Sequence, residues 1–141
     1  MSANQLTLNG TLKSADDYLA KAQSLPQNAS ADGNGGSFES SDTQGSLQVI
    51  AEVNSQITLA DTKTLGVKIQ QSKDNGVSDA FADLETLYSL TSDGGSVIAA
   101  GTELGRFVIP TNAERYIKAV LTTDDAAAAG KVDLYVDYIP R

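Results

Sequence analysis

The clearest pattern in the chain is a strict alternation of apolar and polar residues in its closing stretch, residues 130–141. Val132, Leu134, Val136 and Tyr138 share one parity, and the polar side chains fall mostly on the other. Because side chains of a strand point alternately to opposite faces, this predicts a strand with one apolar and one wet face, preceded by a flexible glycine and ended by a proline. Such a strand needs neighbouring strands and a second layer to bury its apolar side.

The same alternation recurs from residue 47 onward, between turn signals such as Asn75-Gly76 and Asp93-Gly94-Gly95. It predicts short strands over residues 47–53, 57–60, 65–70, 84–90, 104–109 and 115–122, with a stub at 96–98. No convincing helix lies between them. The pattern therefore predicts an all-β fold, an antiparallel two-sheet sandwich over residues 47–141 in a single domain, and leaves immunoglobulin-like and jelly-roll topologies open.

Residues 1–46 form a separate region, interpreted as an N-terminal arm followed by a Gly/Ser-rich loop. Residues 14–25 allow two interpretations: a helix capped by Ser14, or an extended arm, a first strand included, that touches the body through Tyr18, Leu19 and Leu25. Residues 27–46 have loop composition, with Phe38 as the expected anchor. The sandwich is expected to fold without residues 1–36.

Composition excludes several kinds of chemistry. The 141 residues include no Cys and no His, which removes disulfides, thiol nucleophiles, the usual general base and the commonest metal ligand. The net charge of −8 argues against a nucleic-acid surface, which works by neutralising phosphates. No apolar run approaches a membrane span, and no secretory signal is expected at the start.

The carboxylates are interpreted as structural. Asp133 and Asp137 share the wet face of the last strand about 13 Å apart, too far for a paired acid and base unless Glu103 or Glu114 on adjacent strands closes the gap. Residues 74–79 resemble a calcium loop only faintly and favour a plain turn. We therefore predict no catalytic, metal-binding or cofactor-binding residues and expect no enzymatic activity.

Arginines are the strongest candidates for contacts with a partner, because their planar fork pairs bidentately with carboxylates. The candidates are Arg106, Arg115 and Arg141; the alternative for the first two is a local ion pair with Glu103 and Glu114. Tyr18, Leu19 and Phe38 of the arm complete the predicted interface. Tyr135 is the tyrosine placed clearly on a wet face, and without Trp a sugar-stacking surface is weakly supported.

Three stretches of the second half resemble a known family. They are residues 66–74 with Phe81 and Leu84, residues 100–110 running into 114–118, and the closing residues 130–141. Together they are similar to the jelly-roll capsid cement (decoration) proteins of tailed bacteriophages, over roughly residues 64–141. The resemblance implies a jelly roll that assembles as a homotrimer on the outer surface of the icosahedral head, and so a virion protein assembled in the host cytoplasm.

The expected partners are the major capsid protein and further copies of the chain, with no nucleic acid and no membrane. Two other functions remain open. The first is a carbohydrate- or receptor-binding jelly-roll module of a phage tail fibre or baseplate, which predicts exposed aromatics at the loop tips. The second is a small glycan-cleaving enzyme, which predicts two carboxylates facing each other in a cleft.

Overall fold

The computed structural model describes residues 18–39, 47–110 and 112–138, with Tyr138 described by its backbone. These residues form strands joined by turns, and no helix occurs among them. The strands are β1 (Tyr18–Ser24), β2 (Ala29–Asp32), β3 (Phe38–Glu39), β4 (Leu47–Leu59), β5 (Thr64–Ser72), β6 (Ala82–Thr91), β7 (Ser96–Ile98), β8 (Glu103–Val108), β9 (Tyr116–Thr123) and β10 (Ala129–Tyr138).

The strands form two antiparallel sheets whose order identifies a jelly roll. Sheet A has the order β1-β10-β4-β7, with β8 also on β4; sheet B has the order β2-β9-β5-β6, with β3 also on β9. Because β2 and β3 pair with the same strand, and so do β7 and β8, each couple acts as one interrupted strand. The eight resulting strands have the order 1-8-3-6 in one sheet and 2-7-4-5 in the other, which is the double Greek key of a jelly roll. The predicted fold class is confirmed, and the topology that periodicity left open is settled.

The core lies between the sheets and is formed by the side chains that the sequence alternation predicts to point inward. The inward side chains are at most 4% exposed: Leu47, Val49, Ala51 and Val53 of β4; Leu65, Val67 and Ile69 of β5; Ile117, Ala119 and Leu121 of β9; Val132, Leu134 and Val136 of β10. Burying a Val, Leu or Ile side chain fully contributes roughly 1.5–3 kcal/mol. The alternation therefore supplies the main force that joins the two layers.

The predicted strands 47–53 and 57–60 are one continuous strand, β4. Its pairing with β10 steps from Val53↔Val132 to Ser55↔Lys131 and then to Thr58↔Ala129, so β4 gains one residue at each step. Two single-residue bulges restore the inward parity, and Ile57 is fully buried again. Gly130 lies opposite this region at φ 119°, where a Cβ would stand 2.7 Å from the Ile57 Cα. The polar residues 54–56 mark a bulged stretch, and the prediction of a break there was wrong.

Residues 18–24 are extended, so the structure selects the strand over the helix for this part of residues 14–25; residues 14–17 lie outside the described residues. β1 forms the outer strand of sheet A on β10, although an alternation is hard to see in its sequence. Its pairing contains two register shifts, and Ala22 adopts a φ of 47° within the second. These irregularities interrupt the period-2 pattern from which a strand is recognised.

Backbone hydrogen bonds fix residues 33–36, whereas the sequence predicted a loop over residues 27–46 with Phe38 as its anchor. Gly33 donates its backbone N–H to the Ala119 carbonyl in sheet B at 2.9 Å, and Gly35 donates to the Leu19 carbonyl in sheet A at 3.0 Å. The side-chain amide of Asn34 both accepts from the Lys21 N–H at 2.8 Å and donates to the Lys21 carbonyl at 2.9 Å. This short segment therefore joins the two sheets along the β1 side of the sandwich.

Candidate interaction surface

Two of the predicted interface residues, Tyr18 and Arg106, lie on the outer face of sheet A. The cross-strand register places Arg106 opposite Ile50, Ile50 opposite Tyr135, and Tyr135 opposite Tyr18. These four side chains form one row across β8, β4, β10 and β1. We call it the transverse row.

The middle of the transverse row is covered. Ile50 is 2% exposed and Tyr135 is 3% exposed, while the Tyr18 and Tyr135 rings pack with centroids 5.7 Å apart. The prediction that Tyr135 lies on a wet face was therefore wrong, and Asp137 on the same face is also buried. The pairing places an aliphatic and an aromatic side chain at adjacent register positions, which the parity of a single strand cannot show. The accessible part of the row is its Arg106 end and the half-buried Tyr18.

Beside the transverse row, Glu103, Glu52 and Asp133 occupy neighbouring register positions on β8, β4 and β10. The outer two have defined structural partners. Glu103 accepts hydrogen bonds from Arg106 at 2.6 and 2.9 Å, which lower the pKa of Glu103 and raise that of Arg106. Asp133 accepts from the Ala22 N–H at 2.7 Å and from Asn54 Nδ2 at 3.1 Å, and so joins the bulged parts of β1 and β4. The lowered pKa of Glu103 favours a structural carboxylate over a general acid, which needs a raised pKa.

Phe38 and Arg115 lie together at the opposite sheet. Phe38 is half-buried on β3 opposite Ile117, and Arg115 immediately precedes β9. The guanidinium of Arg115 pairs with Glu39 and lies 5.5 Å from the centre of the Tyr116 ring. The local pair expected for Arg106 with Glu103 is thus present, and Arg115 forms an ion pair with Glu39, which the sequence did not predict. The partner of Arg115 comes from a strand that the sequence pattern did not reveal.

The last two predicted interface residues are not on a described surface. Leu19 is 0% exposed and belongs to the core between the sheets, so it is not available to a partner in this structure. Its burial follows from the position of β1 inside sheet A. Arg141 lies outside the described residues.

The loop after β5 has an unusually complete set of internal hydrogen bonds. The Asp74 carboxylate accepts from the backbone N–H groups of Val77 (3.1 Å), Ser78 (2.9 Å) and Asp79 (3.0 Å). These hydrogen bonds, that of Asp79 first, lower the pKa of Asp74. The fully buried Ser72 hydroxyl donates to the Asp79 carbonyl at 2.6 Å and accepts from the Gly76 N–H at 2.8 Å.

We call residues 72–79 the caged loop. Its carboxylate is directed at backbone donors of the same loop, which agrees with the plain turn favoured from the sequence. The residue at its tip, Val77, is 83% exposed. The loop therefore holds an apolar side chain in water on a fixed backbone.

At the other end of the sandwich, the turn 124–128 is tied to the turn between β4 and β5. Asp125 is 3% exposed and accepts from the Ala60 N–H at 2.9 Å and the Ala127 N–H at 2.8 Å. Asp124 accepts from the Thr64 N–H at 2.7 Å. These backbone donors lower the pKa of both carboxylates. The alternation of the strands stops before this stretch, where two adjacent aspartates before a small-residue turn are a signal for carboxylates that bind backbone N–H groups.

Within residues 18–39, 47–110 and 112–138 no grouping of three or more acidic side chains is arranged to hold a metal ion. In the same part of the chain no helix is long and apolar enough to cross a membrane.

Comparison with known proteins gives a distant likeness. No family model matches the chain, and no curated protein matches it. Among solved structures, it is similar to the VP2 protein of infectious bursal disease virus in a subviral particle (17% identity, TM-score 0.44) and in derived particles of a VP2 mutant (17%, 0.48). It is also similar to PirA (11%, 0.38), covering 80% of this chain and 88% of that one.

The alignments with VP2 cover 86% of this chain but only 30–31% of the VP2 chains. This chain therefore spans less than a third of the length of these viral proteins. At such TM-scores the likeness does not identify a family, a partner or an activity.

Proposed function

We propose that the protein is a non-enzymatic structural component of a tailed-phage head, a cement protein that binds the outer surface of the shell and ties neighbouring major capsid subunits together. The observation that carries the proposal is the similarity of three stretches within residues 64–141 to capsid cement proteins, on a chain that folds as the jelly roll this similarity implies. The proposed location is the outside of the virion, after assembly in the host cytoplasm.

The construction of the molecule supports a stiff block rather than a catalyst. Along one side, residues 33–36 join the sheets. Along the other, β8 approaches β6 so closely that a Cβ on Gly105 would stand 2.6 Å from the Leu87 carbonyl oxygen. Five carboxylates of the described residues have a pKa below the ordinary value: Asp74, Asp83, Glu103, Asp124 and Asp125. Lowered values keep these groups ionised, which suits structural hydrogen bonding better than proton donation.

The proposed mechanism is avidity. A trimer whose protomers each contact a different shell subunit converts several weak contacts into one strong attachment, because the second and third contacts form at a high effective concentration. Trimer formation is part of the proposal and would cover edge strands that the sandwich leaves open.

Sedimentation with phage heads tests this function. Purified protein is mixed with undecorated heads of the phage that encodes it, and bound protein is measured in the pellet. Saturation at a whole-number multiple of the symmetry-related sites is expected, whereas no binding at micromolar protein contradicts the proposal. Light scattering of the free protein tests the trimer, and a strict monomer would remove the avidity mechanism.

A glycan- or receptor-binding module of a tail fibre or baseplate is the alternative. It requires exposed aromatic side chains, yet those of Tyr18, Phe38, Phe81, Tyr88, Phe107, Tyr116 and Tyr135 are half-buried or buried. Saturable binding on a glycan array, together with no binding to heads, would favour this alternative.

A further inference from the structure

Most edge strands of the two sheets are closed or short in the described part of the chain. Asn34 caps β1, because its side-chain amide binds both the N–H and the C=O of Lys21, as a residue of a neighbouring strand would. At the middle of β6, a Cβ on Gly105 would stand 2.6 Å from the Leu87 carbonyl oxygen, so β8 covers this edge. β2, β3 and β7 are four, two and three residues long and offer little edge to another chain.

β8 is the edge that stays open among the described strands. Ile109 donates its N–H to the Leu47 carbonyl at 2.9 Å, and the pairing with β4 keeps a regular register over residues 105–108. Because hydrogen-bonded and non-hydrogen-bonded positions alternate in an antiparallel pair, Arg106 and Val108 direct their backbone N–H and C=O groups away from β4. Both residues are exposed. Such a row of outward backbone groups is a template for a further strand.

The β8 side of the sandwich also has a less complete core than the β1 side. On the β1 side, Leu19 and Ala20 are 0% exposed. On the β8 side, apolar side chains that pack against the core remain half-buried, among them Leu87, Leu104 and Ile109. A strand that pairs with β8 and directs apolar side chains inward would remove this surface from water.

The sequence before β1 has the composition of such a strand. Residues 1–12 contain no charged side chain. Leu6, Leu8 and Leu12 share one parity, and the positions between Gln5 and Leu12 on the other parity are polar. An uncharged segment approaches a chain of net charge −8 without adding to the repulsion between copies.

We propose that residues 5–12 of a neighbouring copy pair with β8 as a further strand of sheet A, with the leucines directed at the half-buried apolar side chains. On its own chain the segment leads into β1 at Tyr18, which lies three strand spacings, about 14 Å, across the transverse row from Arg106.

This exchange suits a trimer. The segment and the β8 edge are different surfaces, so each copy gives one strand and receives one, and such a head-to-tail contact can close into a ring of three. Pairing of two β8 edges with each other would instead stop at a dimer. The inference rests on the trimer of the proposed function.

The leucine parity is tested in the full chain. Leu8→Asp and the matched control Thr7→Asp add the same charge at adjacent positions, and the first alone places it among apolar side chains. Light scattering over a range of protein concentrations measures self-association. We expect Leu8→Asp to weaken self-association at least about tenfold, as loss of a hot-spot side chain does. Thr7→Asp is expected to stay within about threefold of the unchanged protein.

A second pair of variants tests the β8 edge. Arg106→Pro removes the outward N–H, whereas Arg106→Ala removes the same side chain and keeps that N–H. Proline is tolerated on an edge strand where the N–H faces solvent, and circular dichroism checks that both variants fold. We expect Arg106→Pro to weaken self-association at least about tenfold and Arg106→Ala to stay within about threefold. Equal effects of the two variants would exclude the β8 backbone as the contact.

The outcomes separate this inference from the proposed function. If Leu8→Asp associates like the unchanged protein, the segment is not the added strand. If Leu8→Asp lowers the thermal transition without changing the mass, the segment covers the β8 edge of its own chain and the exchange is wrong. If the unchanged protein is a monomer, the exchange fails, while sedimentation with heads still tests the function. If the variants behave as expected but the unchanged protein does not bind heads, the exchange stands and the proposed function fails.

Discussion

Gly35 donates its backbone N–H to the carbonyl oxygen of Leu19 across the gap between the sheets. No side chain fits there, because a Cβ on Gly35 would overlap the Tyr18 carbonyl oxygen and a Cβ on Gly33 would overlap that of Leu19. Two glycines thus let the segment after β2 lie against β1. A composition that is typical of a mobile linker here serves the close approach of two backbones.

We expect Gly33→Ala and Gly35→Ala to destabilise the protein by about 3 kcal/mol or more, since the clash is with backbone that cannot move aside. Gly66→Ala is the matched control: no atom lies within 4 Å of the added methyl. Its effect is expected to stay within about 1 kcal/mol, in the stabilising direction. Urea denaturation measures all three, and a mild effect at both Gly33 and Gly35 would contradict the packing described here.

A second prediction concerns the contribution of β1 to stability. Because Leu19 and Ala20 are 0% exposed, deleting residues 1–36 removes part of the core, so we expect loss of cooperative unfolding. This replaces the sequence-based expectation that the sandwich folds without these residues. A milder change is Leu19→Ala, which is expected to lower the free energy of unfolding by about 2–5 kcal/mol. Lys21→Ala, at an exposed position of the same strand, is the control. A deletion variant with a sharp thermal transition would show that β1 is dispensable.

The fold could be predicted because its main strands follow the period-2 rule without interruption. β5, β9 and β10 pair in regular register over most of their length, and their inward residues are the predicted ones. Three elements depart from this rule for one physical reason, the bulge. Register shifts in β1, in the middle of β4 and in β6 change which residues face inward; in β6 they leave Leu87 half-buried and Thr86 exposed.

The candidate surface was harder to predict than the fold. Tyr135 and Ile50 are buried on an outer face, and the register that places them opposite each other joins positions 85 residues apart in sequence. Arg115 pairs with Glu39 for the same reason. Parity along one strand fixes which face a residue lies on, whereas its neighbours on that face are fixed by the pairing.

The stability contributed by the turn 124–128 should depend on pH. The pKa values of Asp124 and Asp125 are lower in the folded state than their ordinary value of 3.8, so at acidic pH the unfolded chain binds more protons. The stabilisation is therefore complete well above pH 3.8 and is lost as the pH falls through that value toward the lowered pKa. Asp74 acts in the same direction.

Asp125→Asn isolates this effect. The asparagine has one acceptor oxygen for two backbone donors, so we expect lower stability near neutral pH and a shallower decline of stability in acid. Urea denaturation at a series of pH values measures both, with the exposed Asp93→Asn as control. An acid decline as steep as in the unchanged protein would show that Asp125 does not contribute to it.

Substitution of Arg106 and of Arg115 tests which surface of the protein binds the shell. Arg106 lies on the outer face of sheet A with a half-exposed side chain, and Arg115 lies directly before β9 with similar exposure. Their ion pairs with Glu103 and Glu39 are exposed, so Arg106→Ala and Arg115→Ala should each change stability by no more than about 1 kcal/mol. If the shell contacts the end of the sandwich that carries Arg115, Arg115→Ala weakens sedimentation with heads severalfold and Arg106→Ala does not. The reverse order would move the shell contact to the outer face of sheet A, because the two variants remove the same chemical group and differ in where it stands.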